Sequence, residues 1–378
     1  MMDAEVAVIG IGTIGSMTMW QLARRGVKVI GFEQFGTGHD RSAAGGESRI
    51  FRTAYLEGSE YVPMLHEARK QWRELEKETG YSLLHLNGGL MIGPAEGDTI
   101  RSVMKSIETH GLEHEYLEYD EAQKRYPQHK LFPGEVMVLD KQAGFIRPEF
   151  AVVSAVQRSE ALGAVIHRYT QVESIEPDGD GVRIVANGKT YKVGQVVITT
   201  GPYTKKLLPE QASPLVTRRL VMSFFATTKP EMYTPDKFPI FIRRSKHFDI
   251  SGKPTLEGTM VKVMLNQGYD EVDDPHNLNR HIAIDDLNQI NEAVRELLPD
   301  LIADPIRLNA YMDAYSPDEH AIIGRLPDMP RAIALYGFSG HGFKLAPAMG
   351  RIAADLVVDG GTPFSIEQFS PERIRSGR

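Results

Sequence analysis

The sequence predicts an α/β fold, and three observations predict it. A short apolar strand near the N-terminus runs through a glycine-rich turn into a helix and then a second strand. Strands and helices go on alternating along the 378 residues, with no Pro/Gly-rich linker, internal repeat or low-complexity tract. Apolar residues make up 42% and charged residues 25%, as in an ordinary soluble enzyme with a large core. At roughly 100–200 residues per domain, the length suggests about two domains.

The elements follow in order. Glu5 to Ile9 reads as a buried strand, Gly10 to Gly15 as a turn, and Ser16 to Arg25 as a helix stopped by Gly26. Val27 to Phe32 is the second strand, ending at Glu33. Glu67 to Thr79 reads as a charged helix with Trp72 and Leu75 on one side, and Gly88 to Gly93 as a buried strand. Phe150 to Leu162 is a helix, and Ala164 to Arg168 a strand. Val182 to Ala186 and Thr190 to Val193 suggest a hairpin around Asn187-Gly188, with a separate buried strand at Val196 to Gly201. Asp285 to Leu298 and Pro347 to Val358 are expected helices.

Charge and cysteine usage exclude several classes. Forty-three Lys+Arg against 50 Asp+Glu give a net charge of -7, which argues against nucleic acid as the main partner. No apolar run approaches ~18 residues, so no membrane span is expected. Met1 to Glu5 has no basic region and no cleavage site, so a cytoplasmic protein is expected. There are 0 cysteines, which excludes disulfides, thiolate metal sites, cysteine nucleophiles and a thioether to a cofactor. The histidines show no metal-site spacing, and no metal is expected.

Gly10-x-Gly12-x-x-Gly15 lies between strand and helix, where a Rossmann-like nucleotide site requires it. The first Gly permits the tight turn, the second lets backbone approach a pyrophosphate, and the third lets helix and strand pack closely. The helix N-terminus faces the phosphates. Glu33, at the end of the next strand, is placed to accept hydrogen bonds from both ribose hydroxyls. The residues leave NAD and FAD open; the position of the triad, and a glycine-ended strand far downstream, favour FAD.

Several segments resemble the monomeric sarcosine oxidase and N-methyltryptophan oxidase branch of the D-amino-acid-oxidase-like flavoproteins. They are the N-terminal βαβ unit, Ser48 to Tyr55 with Glu57-Gly58 and Tyr61-Val62-Pro63, and Gly144 to Arg147. The strand ending at Gly201, Lys262, Ser316 to His320, and Gly337 to Lys344 complete the set. The resemblance implies a glutathione-reductase-type FAD-binding domain at 1–85, 145–215 and 315–378. It places a mainly antiparallel β-sheet substrate domain at 86–144 and 216–314.

It also implies roles. Arg52 and Lys344 would bind a substrate carboxylate, Arg49 would sit near the flavin ring, and Lys262 would promote electron transfer to O2. Cofactor contacts would come from Gly10, Gly12, Ile14, Gly15, Glu33, Ser42, Ser48, Arg49, Val172, Gly201, Gly340, Gly342, Phe343 and Lys344. Backbone N–H groups of the 340–344 loop would stabilise negative charge at the flavin C2 carbonyl. Arg49 and Arg52 stand three apart and are expected on one face of a helical turn, although a solvated surface pair also fits. Lys262 sits in an apolar strand whose alternation also allows exposure; Asp318-Glu319-His320 could form an acid/base cluster, but the resemblance implies a structural role close to the flavin.

The departures are specific. The family's flavin-linking Cys falls at Tyr311, and a histidine pair before the first arginine becomes Ala44-Gly45. An aromatic residue facing the substrate becomes Asp313, and a histidine four beyond the buried lysine becomes Asn266. The expected protein is therefore a monomeric oxidase of an N-substituted (secondary) or related amino acid with non-covalent FAD, taking a small amino-acid-like substrate and O2. A flavin dehydrogenase using an electron carrier, or a non-catalytic FAD-binding subunit, are the alternatives.

Overall fold

The computed structural model describes residues 2–375 except 56, 57, 246 and 259. Among the described residues the strands form two eight-stranded sheets and one of three strands. The first sheet grows from the N-terminal unit. Ala4–Ile9 pairs in parallel with Val29–Phe32 on one side and Lys189–Ile198 on the other. Val165–His167 and Met329–Tyr336 extend the parallel core, and three antiparallel strands complete the sheet. All four residues of Val29–Phe32 are buried, as expected for a strand covered on both faces.

Helix Thr13–Arg24 covers one face and packs on helices Pro148–Ala161 and Ala346–Val358. The approach to the last helix is close because Gly350 lacks a side chain; a Cβ there would lie 2.6 Å from the Met17 backbone. Helix Val62–Thr79 buries Trp72 against the same core and against Phe343, the rings stacked at 6.0 Å. Trp72 also donates through Nε1 to the Lys344 carbonyl at 3.2 Å, so this helix fixes the loop that carries Phe343 and Lys344.

The second sheet runs Arg307–Tyr315, Val216–Phe225, Met260–Leu265, Asp249–Leu256, Ile240–Arg244, Gly89–Pro94, Glu135–Asp140, His114–Leu117. It is antiparallel except where Ile240–Arg244 meets Gly89–Pro94. The third sheet joins Arg49–Phe51, Gly144–Ile146 and Leu84–His85. No helix among the described residues is long and apolar enough to cross a membrane.

Four local expectations need correction. Arg49 begins a strand, and Arg52 follows that strand, so the pair is not on a helical turn. Ile50 and Phe51 favour pairing, and their partners Phe145 and Gly144 lie far along the chain, beyond the reach of a local period. The hairpin at Asn187-Gly188 forms, both residues with positive φ, but its return strand continues unbroken to Ile198. Gly194 does not interrupt it, and Gly201 belongs to a 3-10 turn. The helix expected from Glu67 starts at Val62, with Pro63 in its first turn, where a missing N–H costs nothing. The helix expected from Asp285 begins as a 3-10 turn and becomes α-helical at Asn288.

Candidate active site

The glycine turn builds an open cradle. Gly10 takes φ +85° and sits so close to Thr199 that a Cβ would lie 2.9 Å from its carbonyl oxygen. Thr199 Oγ1 in turn donates to the Gly10 carbonyl at 2.8 Å. A Cβ on Gly15 would collide with the Gly10 carbonyl, so this third glycine serves packing and does not line the cavity. Gly12 is different: a Cβ there meets nothing within 4 Å. Gly12 caps helix Thr13–Arg24 without a side-chain hydrogen bond, leaving the helix N-terminus open toward an anion. Thr13 Oγ1 is buried and has no hydrogen-bond partner among the described residues.

Glu33 closes the far side of this cradle. Its carboxylate accepts from the backbone N–H of Ile11 and of Phe35, each at 2.9 Å, and lies 3.3 Å from His39 Nε2. Two backbone donors fix the side chain, which lines the cavity. The same cavity is lined by Ile14, Ser42, Val172 and Gly201, and it runs on to Arg49, Gly340, Gly342 and Phe343. An open helix end, an orphaned hydroxyl, a fixed carboxylate and a long cavity suit a dinucleotide.

A second cavity, of about 680 Å³, meets the first at Ala43, Arg49, Asp313, Gly340 and Phe343. Arg49 donates to the carbonyls of Ser48 at 2.9 Å and Ala43 at 2.7 Å. Burial lowers its pKa, with Glu149, Tyr311 and Asp313 opposing. Asp313 accepts from Ala314 N–H at 2.8 Å and Gly340 N–H at 3.1 Å. Burial nevertheless pushes its carboxyl up to about 6, against those two hydrogen bonds and Arg49. The Gly340 N–H is thus already engaged, whereas Gly342 opens the 3-10 turn Phe343–Leu345 without a side-chain cap.

The second cavity is cationic. Lys262 is buried, and its Nζ donates to the carbonyls of Gly46 at 2.8 Å and Ser48 at 2.9 Å. Burial, then Arg49 and Lys253, hold its pKa well below the usual lysine range. Gly46 takes φ +94°, and a Cβ there would lie 3.5 Å from that Nζ. Its N–H and that of Glu47 donate to Glu149 Oε1 at 2.7 and 3.0 Å, which fixes the turn whose carbonyl holds Lys262.

Arg52 and Lys344 stand deeper, both beside Tyr55. Arg52 donates to the Ala54 carbonyl at 3.1 Å, and its guanidinium lies 4.6 Å from the Tyr55 ring centre. Lys344 donates to the His341 carbonyl at 3.1 Å and lies 5.0 Å from the same ring. Tyr55 in turn hydrogen-bonds His341 Nδ1 at 2.8 Å.

The expected residues divide between the cavities. Ser48 and Lys344, read as cofactor contacts, line the second cavity and not the first. Arg49 lines both. Asp318 pairs with Arg373, which holds its carboxyl well below the usual range despite burial, and His320 hydrogen-bonds Tyr61 at 3.1 Å. Tyr311 and Asn266 line the second cavity. The Tyr311 ring fills the space over Gly45, where a Cβ would collide with it. Glu57 lies outside the described residues. Lys253 was missed: it is buried in the second cavity directly opposite Lys262. Only the strand register brings the two together.

The chain matches the model of the FAD dependent oxidoreductase family over residues 5–356. It is 32% identical to monomeric sarcosine oxidase of Streptomyces avermitilis over 376 residues, 98% of this chain and 97% of that protein. It is 28% identical to N-methyl-L-tryptophan oxidase of Yersinia pestis, over 99% of this chain and all of the other. Among solved structures, NikD, an amino acid oxidase essential for nikkomycin biosynthesis, shares the fold with a TM-score of 0.86 at 23% identity, covering 98% of both chains. The chain belongs to the FAD-dependent oxidoreductase family.

Proposed function

We propose that this member of the FAD-dependent oxidoreductase family oxidises an N-substituted or related amino acid, as a monomer with non-covalent FAD, and passes the electrons to O2. The observation that carries the reading is the meeting of a nucleotide cradle and a cationic cavity at Arg49, Asp313, Gly340 and Phe343. The relatives named sarcosine oxidase and N-methyltryptophan oxidase support it. We assign FAD binding to 1–85, 145–215 and 315–378, and substrate binding to 86–144 and 216–314. The first sheet draws its strands from the former segments, and the second draws them, to within one residue, from the latter.

FAD, when bound, accepts a hydride from the substrate carbon beside nitrogen and reduces O2 to H2O2, leaving an imine that water hydrolyses. Gly12, Thr13 and the helix N-terminus would hold its pyrophosphate, and Glu33 a ribose. Arg52 and Lys344 hold the substrate carboxylate, and so orient the amine toward the junction. The Tyr55 ring lies within 5.0 Å of both cations and so holds them side by side. Lys262 uses two N–H donors on Gly46 and Ser48, so its Nζ can take up one further proton, which places a positive charge beside the junction.

With 0 cysteines, no thioether to the cofactor can form. Acid precipitation should therefore release yellow flavin and leave a chain of unmodified mass. Anaerobic addition of N-methyl and cyclic amino acids should bleach the bound flavin, and admission of air should restore it with release of peroxide. A flavin that no amino acid bleaches would overturn the reading.

A further inference from the structure

One cation of the second cavity has no part in these assignments. Lys253 lies in the middle of strand Asp249–Leu256, is 3% exposed, and faces Lys262 across the strand pair. Its contacts are long and neutral: Ser251 Oγ at 3.5 Å and Met264 Sδ at 3.8 Å. Among the described residues no carboxylate lies within ion-pair distance of its Nζ. Its basic neighbours are satisfied differently. Carbonyls hold Arg49 and Lys262, while Arg244 pairs with Asp249 at 2.9 Å and Arg218 with Glu319 at 3.9 Å.

A buried ammonium without an anion is costly, and an apolar side chain of similar length would fill the same space without that cost. The basic group is therefore unlike a packing residue. Arg49 acts on Lys253 and Lys262 alike, so three basic groups bear on one part of the cavity wall. Burial, then Arg49, bring Lys253 down to about 7, a group that regains its proton when an anion arrives.

We infer that the substrate carries a second carboxylate, on its side chain or its N-substituent, and that Lys253 receives it. The substrate class is then an acidic amino acid: one carboxylate on Arg52 and Lys344, the other on Lys253, and the reacting C–N bond between them. This inference rests on the oxidase reading for its first anchor.

The test uses the flavin-loaded protein and the visible flavin spectrum. It is titrated with straight-chain pairs of equal length: butyrate and succinate, valerate and glutarate, caproate and adipate. At least one dicarboxylate should bind on the order of ten- to a hundredfold more tightly than its matched monocarboxylate. Lys253→Met should erase that preference while leaving monocarboxylate affinity and flavin content in place, and Lys253→Gln should do the same. No dicarboxylate preference in the unmodified protein, or a preference that survives both substitutions, would overturn the inference. If neither acid class perturbs the spectrum, the carboxylate anchor itself fails, and this inference falls with it.

Discussion

The two cavities handle charge by opposite means. The nucleotide cradle is made by omission: three glycines, an uncapped helix end and one carboxylate held by backbone N–H groups. The cationic cavity is made by addition, with lysines and arginines on strands and on the turns that flank them, held by backbone carbonyls. The first fails when atoms are added and the second when charges are removed. The cradle meets a ligand whose shape is fixed, so backbone can serve it. The cavity must order a small mobile acid, which requires directed, charge-assisted donors.

Five substitutions would break or sharpen that contrast. The largest effect is expected for Gly12→Val. No atom lies within 4 Å of a Cβ there, so the variant should fold, yet purify almost free of flavin. A yellow variant with full flavin content would show that the cradle is not made by omission. Next comes Arg52→Ala. Loss of one partner at a desolvated ion pair costs on the order of 2–5 kcal/mol, roughly 30-fold to several thousand-fold in carboxylate affinity. Lys344→Ala should act in the same direction, and titrations unchanged in both variants would count against an acid substrate.

Lys262→Met should slow flavin reoxidation on the order of 100-fold, as removal of a preorganised donor does, with much less effect on reduction. Stopped-flow traces in which both half-reactions slow equally would remove Lys262 from the oxygen step. The smallest effect concerns Asp313, which faces Arg49 and the hydroxyls of Tyr269 and Tyr315. Its carboxyl sits at about 6, above the ordinary aspartate value, so the anion is lost as pH falls through 6. Flavin reduction should therefore slow severalfold below that pH, and Asp313→Asn should flatten the profile. An inflection that persists in the variant would assign it to another group.

The same contrast explains what could be read in the sequence. Gly10 to Glu33 form a contiguous unit in which each residue's task follows from its neighbours, so spacing alone finds it. The cavity residues come from 49–52, 253–262, 313 and 340–344, and nothing in spacing relates them. The spacing of Arg49 and Arg52 suggests a helical period because the partner strand Gly144–Ile146 is invisible locally. Lys262 stood out as a charge in an apolar strand, but Lys253 did not, since residues 249–256 carry no comparable apolar run. Its meaning depends on facing Lys262, which is a property of register.

The contact between Tyr311 and Gly45 bears on how this chain can change. The ring occupies the volume that any side chain at 45 would need, so the two positions are not independent. A histidine introduced at 45 alone would be driven into the ring, and a cysteine introduced at 311 alone would leave a void above the glycine. Either change is thus unfavourable by itself, and only the double change keeps the volume filled. The order in which mutations arrive then matters: each single change at this pair passes through a collision or a void that the double change avoids.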